Sequence, residues 1–306
     1  RSFHVTGVQT CALPIFSMPI NKNSSPIFEV GDKVLLTDQK GKEHSITLQQ
    51  NQEWHTHKGV LLHNDLIGQN QGIVVETNQG LKFTAFKQLL SDFVLNMPRG
   101  ATIIYPKDSA AILGLADIGP GDFVLEAGAG SGALSISLLR AIGESGALTS
   151  YEKREDFAAI AKKNVERYFG EIPSNWNLKI GSVQEFERER KYSRVILDML
   201  APWECVSMAS DVLLAGGVFL SYVATTTQLS QIAEAIKECG DFTEPLSSET
   251  IVRGWHHEGL AVRPQHRMIG HTAFLIMARR MAPGVKAPAR RRRPSKGLYG
   301  LNADES

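Results

Sequence analysis

The sequence predicts an α/β protein in which a doubly wound, mostly parallel sheet follows a small β-rich N-terminal domain. Three observations carry this expectation. Across residues 99–281, short β-prone runs alternate with amphipathic stretches of helical period, the pattern of a parallel sheet covered on both faces. Across residues 27–95 there are only short β-prone runs separated by turn signals, as in a compact β unit. Between them in importance stands the segment 122–134, an apolar strand running through a glycine-rich turn into a helix.

In chain order, the N-terminal strands are expected at 33–36, 45–48, 72–76 and 82–86. The larger domain is expected to place strands at 123–126, 147–152, 178–181, 195–198 and 218–223. One helix between them is clear, because Phe157, Ile160, Ala161, Val165 and Tyr168 fall near one face. The last apolar run, 272–277, follows a shorter one at 250–252 and is expected to close the sheet as an antiparallel edge. Open sheets of this kind bind ligands at the carboxyl ends of their strands.

Composition excludes several functions. The 306 residues carry 33 basic and 32 acidic side chains, and 42% are hydrophobic, enough for a large and a small core. The best apolar run, 212–224, is broken by Gly216 and Gly217 and falls short of the ~20 residues of a membrane span. Cys11, Cys205 and Cys239 are far apart and lack paired spacing, so neither a disulfide framework nor a zinc cluster is expected. A cytoplasmic protein without metal fits best.

The two chain ends stand apart from this pattern. Residues 279–306 hold eight basic and two acidic side chains, a net +6 against −5 for the rest. Its Pro, Arg and Gly content predicts that the tail 282–306 is disordered, serving either to attract a polyanion or simply to solubilise. Residues 1–17 include Val-Thr-Gly-Val-Gln-Thr-Cys-Ala-Leu-Pro-Ile at 5–15, which reads as the translation of a sequencing adapter. The natural start is then expected near Met18.

The glycine turn is the most informative stretch. Gly128, Gly130 and Gly132 permit a tight turn and close ligand approach, and Glu152 stands twenty residues past Gly132 at the end of the next strand. A carboxylate there can accept both hydroxyls of a ribose, which suits an adenosine-containing cofactor. The spacing alone also satisfies a dinucleotide fingerprint. Two features favour a methyltransferase over a nicotinamide enzyme. Glu126 would repel a pyrophosphate yet suits the cationic amino-acid end of S-adenosylmethionine. Asp198-Met-Leu-Ala-Pro-Trp203 after the fourth strand has the polar acceptor, proline and aromatic found where amino groups of a substrate are held.

Five segments together resemble the tRNA (adenine-58-N1)-methyltransferase family in its single-subunit bacterial form. They are Arg99-Gly-Ala-Thr-Ile-Ile-Tyr-Pro-Lys-Asp108, Glu126 to Ala133, Ser150-Tyr-Glu152, Leu197 to Trp203, and Val262-Arg-Pro264 with Gly270-His-Thr-Ala-Phe-Leu275. The turn His55-Thr-His-Lys-Gly59 is similar to a His-rich turn of the same family, so the resemblance spans about residues 27–281. It implies a Rossmann-like methyltransferase sheet, S-adenosylmethionine as donor, tRNA as substrate and a homotetramer. By the same resemblance, Gly128, Gly130, Ser131, Gly132, Ala133 and Leu134 surround the methionine part of the donor. Glu152 takes the ribose, and Phe157, Ser182 and Gln184 lie near the adenine ring. Ser182 is a departure, since many relatives carry aspartate there, so the hydrogen bond to the donor's exocyclic amine is expected either to be weaker or to come from Gln184.

The chemistry of the acceptor follows from its base. Adenine N1 has a free in-plane lone pair and needs no deprotonation, but alkylation leaves a cationic base. A carboxylate accepting from the N6 amine stabilises that charge as it grows, and Asp198 is the candidate. A T-loop base must leave its stack to react, and Tyr105, Trp203 and Tyr222 are the aromatic candidates to receive it. Each has a structural alternative: a seam filler, a buried helix start and a strand core residue, respectively. His55, His57 and His63 lack metal spacing and suit an RNA-facing surface. Lys107, Arg99, Arg253 and Arg263 are candidate phosphate contacts. Two other functions stay open: a non-catalytic tRNA-binding subunit, which would be expected to lose the donor turn, and a protein or small-molecule methyltransferase on the same fold.

Overall fold

The computed structural model describes residues 25–185 and 191–288. The adapter-like residues 1–17 and the arginine cluster at 290–293 lie outside the described residues. The chain divides after Asp92 into two compact units.

The first unit holds β1 (Lys33–Asp38), β2 (Glu43–Thr47), β3 (Glu53–Thr56), β4 (Gly59–Leu62), β5 (Ile73–Glu76) and β6 (Lys82–Lys87). Four of them form an antiparallel sheet in the order β2-β1-β6-β5, and β3 pairs only with β4. Burial alternates residue by residue along β6, so Phe83 and Ala85 share one face and meet Val34 and Leu36 of β1. Phe28, Leu48, Leu61 and Leu66 complete this core. The β3–β4 hairpin, which the strand pattern does not announce, carries His55, and the half-buried Trp54 packs against the core.

The helix α1 (Leu90–Asn96) spans the division. After it come α2 (Pro106–Leu115), β7 (Phe123–Ala127), α3 (Ala133–Ile142), β8 (Ala147–Glu152), α4 (Glu155–Phe169), β9 (Trp176–Ile180) and β10 (Tyr192–Asp198). The chain continues through α5 (Val206–Val212), β11 (Leu213–Val223), α6 (Thr226–Cys239), β12 (Leu246–Glu249), β13 (Trp255–Glu258), β14 (Ala261–Pro264) and β15 (Phe274–Arg279). Local chemistry sets the helix starts. Pro106 opens α2, Glu155 and Asp156 sit in the first turn of α4, and Thr225 and Gln228 form a capping box on α6.

Seven strands form the central sheet in the order β12-β15-β11-β10-β7-β8-β9. The five from β11 to β9 run parallel, and β15 joins β11 antiparallel. β7 is buried at four of its five positions, as a strand covered on both faces must be. The expected antiparallel strand is therefore present, but it is not the edge. β12 pairs outside it, and residues 250–252 are not in a strand. The pattern misplaces the edge because all four residues of β12 are exposed, which leaves no alternation to read.

Candidate active site

Strand register assembles the site. Ala127 at the end of β7 stands opposite Tyr151 on one side and Leu197 on the other, and Asp198 stands opposite Tyr222. Glu152, Asp198 and Tyr222 thus stand in the row just beyond Ala127 and Glu126 in the row just before it, all toward one end of the sheet. The chain order reverses between β7 and β10, and a crevice opens at such a switch point.

Close packing explains the glycines. Gly128 has φ +91° and touches the backbone of Asp198, while Gly132 (φ +83°) caps α3 against the backbone of Ala161, 3.2 Å from where its β-carbon would be. Glu152 fixes the turn from the other side. Its Oε2 accepts from the Gly130 N–H at 2.8 Å and its Oε1 from the Arg154 N–H at 3.0 Å. Ala133 and Leu134 are buried, so backbone N–H groups at the helix start are what they can offer a ligand.

Ser131 also fastens a strap. Its hydroxyl accepts from the Gly100 and Ala101 N–H groups at 3.2 and 3.4 Å. Asn164 of α4 donates to the Pro98 and Ser131 carbonyls, both at 2.9 Å. Phe157 packs on Gly100, where a β-carbon would come within 2.8 Å of its ring, and the Arg154 guanidinium lies 3.7 Å from its centroid. Asn164 escaped the sequence reading, although a polar residue on the otherwise apolar face of α4 is itself a signal.

The electrostatics are those of a cation site. Glu126 is fully buried; its Oε2 accepts from Ser135 at 2.7 Å and Ser150 at 2.5 Å, while Trp176 Nε1 donates to Ser150 at 2.9 Å. Its Oε1 has no partner. Burial pushes the Glu126 carboxyl up to about 7 despite the two serines, with Glu152 adding to the shift. Asp198 is partly accessible and is also pushed up to about 7, by burial first and then by Glu126 and Glu152. Gathered carboxylates that resist ionising together are stabilised by an arriving cation and would repel a pyrophosphate.

The acceptor candidates fall into two groups. Tyr222 lies against Thr272, and burial with the charges of Asp108 and Asp198 raises its phenol above the usual range; Tyr105 is close enough to contribute. Both tyrosines adjoin a cluster that joins the segments 99–108 and 270–275. Lys107 Nζ donates to Asp108 Oδ1, the Thr250 carbonyl and Thr272 Oγ1, each at 2.7 Å, and Thr272 donates to Asp108 Oδ2 at 2.8 Å. Asp108 is fully buried. Lys107 is thus committed to this cluster, which corrects its reading as a phosphate contact. Next to it, both ring nitrogens of His271 meet acceptors, Glu249 at 2.6 Å and the Ala224 carbonyl at 2.8 Å.

Trp203 lies in a one-turn helix, Pro202–Cys205, partly buried against the core under α5 and α6. Gln184 is exposed and donates to Glu204 at 3.1 Å, and its N–H donates to the Ser182 hydroxyl at 3.3 Å. Among the described residues no group of three His, Cys, Asp or Glu side chains is arranged to hold a metal. Among the same residues no helix is long and apolar enough to cross a membrane.

Comparison with known proteins agrees with this geometry. Residues 27–75 match the TrmI-like N-terminal family model, and residues 91–260 match the model described as the tRNA methyltransferase complex GCD14 subunit. The tRNA (adenine(58)-N(1))-methyltransferase TrmI of Thermus thermophilus is 35% identical over 248 residues, 81% of this chain and 96% of its own. The tRNA (adenine(57)-N(1)/adenine(58)-N(1))-methyltransferase TrmI of Methanocaldococcus jannaschii is 31% identical over 80% of this chain and 94% of its own. Two solved structures are also similar. A SAM-dependent O-methyltransferase from Thermotoga maritima has a TM-score of 0.78 at 30% identity, covering 88% of this chain and 97% of its own. The tRNA (m1A58) methyltransferase TrmI from Aquifex aeolicus has a TM-score of 0.73 at 26% identity, covering 84% and 99%. By these matches, the chain belongs to the tRNA (adenine-58-N1)-methyltransferase family of S-adenosylmethionine-dependent enzymes.

Proposed function

We propose that the protein methylates N1 of adenine 58 in the T loop of tRNA. The observation that carries this reading is the gathering of Glu126, Glu152 and Asp198 at the glycine turn, with the buried Glu126 Oε1 unpartnered. These residues fit S-adenosylmethionine, a zwitterion with a sulfonium. The carboxylates suit its cationic groups, and the N–H groups at the start of α3 suit its carboxylate. When bound, the donor supplies an electrophilic methyl group.

The chain's own residues then have three tasks. Glu152 holds the turn rigid through Gly130 while remaining available to ribose hydroxyls. Tyr105 and Tyr222 receive the flipped adenine, with Trp203 bordering the strand end that carries Asp198. Asp198, to which no described residue donates a hydrogen bond, accepts from the N6 amine and offsets the positive charge that appears on the ring. Losing such a contact typically costs a factor of about 10² to 10³ in rate. Phe157, Ser182 and Gln184 remain the candidates for the donor's adenine, and a cytoplasmic homotetramer belongs to the same reading.

The test is methylation of tRNA transcripts with labelled donor, followed by nucleoside mass spectrometry and mapping. 1-Methyladenosine at position 58 is expected. Label on a hydroxyl of a small molecule would favour the second reading, for which the likeness to the Thermotoga maritima O-methyltransferase speaks. Additional label at position 57 would align the protein with its Methanocaldococcus jannaschii relative.

A further inference from the structure

The N-terminal unit has a cavity of about 220 Å³ that methyl transfer does not use. Its wall is aromatic: Trp54 stands edge-on to Phe83 at 5.2 Å between centroids and tilts against His44 at 5.1 Å. Lys42, His55 and His57 also line it, and all three are exposed. Asp38 completes the lining. Its Oδ1 accepts from the backbone N–H groups of Lys40 and Lys42 at 2.8 and 2.9 Å, and the Lys42 bond is foremost in holding its carboxyl below the usual range.

A stacking wall, an exposed cation and a fixed anionic acceptor are together what a single unstacked base uses. Aromatic rings stack any base, basic side chains follow the phosphates, and a carboxylate accepts from an exocyclic amine. The volume lies below the ~300 Å³ at which sites for drug-sized ligands begin, so it suits one base and excludes a duplex. No metal-binding group occurs here among the described residues. We propose that this cavity is an RNA subsite for one amine-bearing nucleobase, stacked on Trp54, with its amine on Asp38 and a neighbouring phosphate toward Lys42. The proposal rests on the reading that RNA is the substrate, and it adds a second contact separate from the methylated base.

The test uses the full chain and a tRNA transcript, with affinity measured at several salt concentrations. Trp54→Ala is expected to weaken binding about 5- to 150-fold, the loss of one base stack, while Trp54→Phe keeps near wild-type affinity. Lys42→Ala, at an exposed position that does not endanger the fold, is expected to lower the slope of log affinity against log salt by about 0.7 to 0.9. S-adenosylmethionine affinity, read by calorimetry, is expected to be unchanged in all three. Wild-type tRNA affinity in Trp54→Ala, equal losses in Trp54→Ala and Trp54→Phe, or an unchanged slope in Lys42→Ala would overturn the proposal. So would displacement of tRNA by equimolar AMP, which would make this a free-nucleotide site. Failure of the wild type to methylate tRNA would instead strike the enzymatic reading and leave these affinities standing.

Discussion

The carbonyl oxygen of Asp198 fills the space that a β-carbon on residue 128 would need: an atom built there falls 1.7 Å from it. The donor turn and the proposed acceptor carboxylate are therefore locked together through backbone, and neither can shift alone. Gly128→Ala is expected to abolish donor binding. It should also destabilise the fold by about 1–3 kcal/mol, since a backbone carbonyl cannot swing aside as a side chain can and φ there is positive. Calorimetry with S-adenosylmethionine and a urea melt check both, and a variant that binds donor normally would contradict the packing.

Asp198 predicts a pH profile. Its carboxyl is pushed up to about 7, and in the proposed reaction the ionised form is the one that offsets charge on the alkylated base. Single-turnover methylation should rise with pH and level off above about 7, the midpoint falling when the cationic donor is bound. Asp198→Ala should bind donor near the wild-type level while turnover falls about 10²- to 10³-fold, and Asp198→Asn should lose this rise. A flat wild-type profile between pH 6 and 9 would remove Asp198 ionisation from the reaction.

Glu126 predicts a trade between stability and binding. Its carboxyl sits at about 7 in the fold against 4.5 for the ordinary group, so the native state holds this proton more tightly than the unfolded chain. The resulting stabilisation is fully present below about pH 4.5 and is lost as pH rises through 7, a difference of about 3 kcal/mol. Glu126→Gln removes the titration. Urea midpoints of the donor-free proteins should diverge in favour of the variant from pH 5 to pH 8, while its affinity for S-adenosylmethionine falls. Parallel midpoints would show that Glu126 does not carry the shift.

Asn164→Ala should release the strap at residues 98–101. It leaves the Pro98 and Ser131 carbonyls without their donor, which costs about 1–3 kcal/mol where such groups are buried. Donor affinity is expected to fall with it, because Ser131 belongs to the donor turn. A stability loss with unchanged donor affinity would separate the strap from the site.

What the sequence discloses is local. The glycine turn, Glu152 at the next strand end and Asp198 after the fourth strand are each visible as a residue type at a set distance from a strand. The partners of Glu126 are not, because Ser135 and Ser150 reach it only through the packing of α3 and β8, and Trp176 of β9 reaches Ser150 in the same way. The cluster of Lys107, Asp108 and Thr272 is similarly hidden by the long stretch of chain between its members. Motif resemblance marked both segments, but only packing shows that they meet. β12 left no pattern at all, because a fully exposed strand owes its existence to its partner's hydrogen bonds rather than to its own side chains.

The position of β15 sets an order of assembly. It is the last strand among the described residues, yet it inserts between β11 and β12, so a nascent chain carries β11 as an open, apolar border until β15 has been synthesised. Thr272, just ahead of β15, is also the residue through which Lys107 and Asp108 are tied down. The proposed donor half of the crevice can mature early from consecutive elements, whereas the half proposed to receive the base sets last. A chain clipped before Thr272 would therefore be able to hold its cofactor and yet have no finished place to spend it.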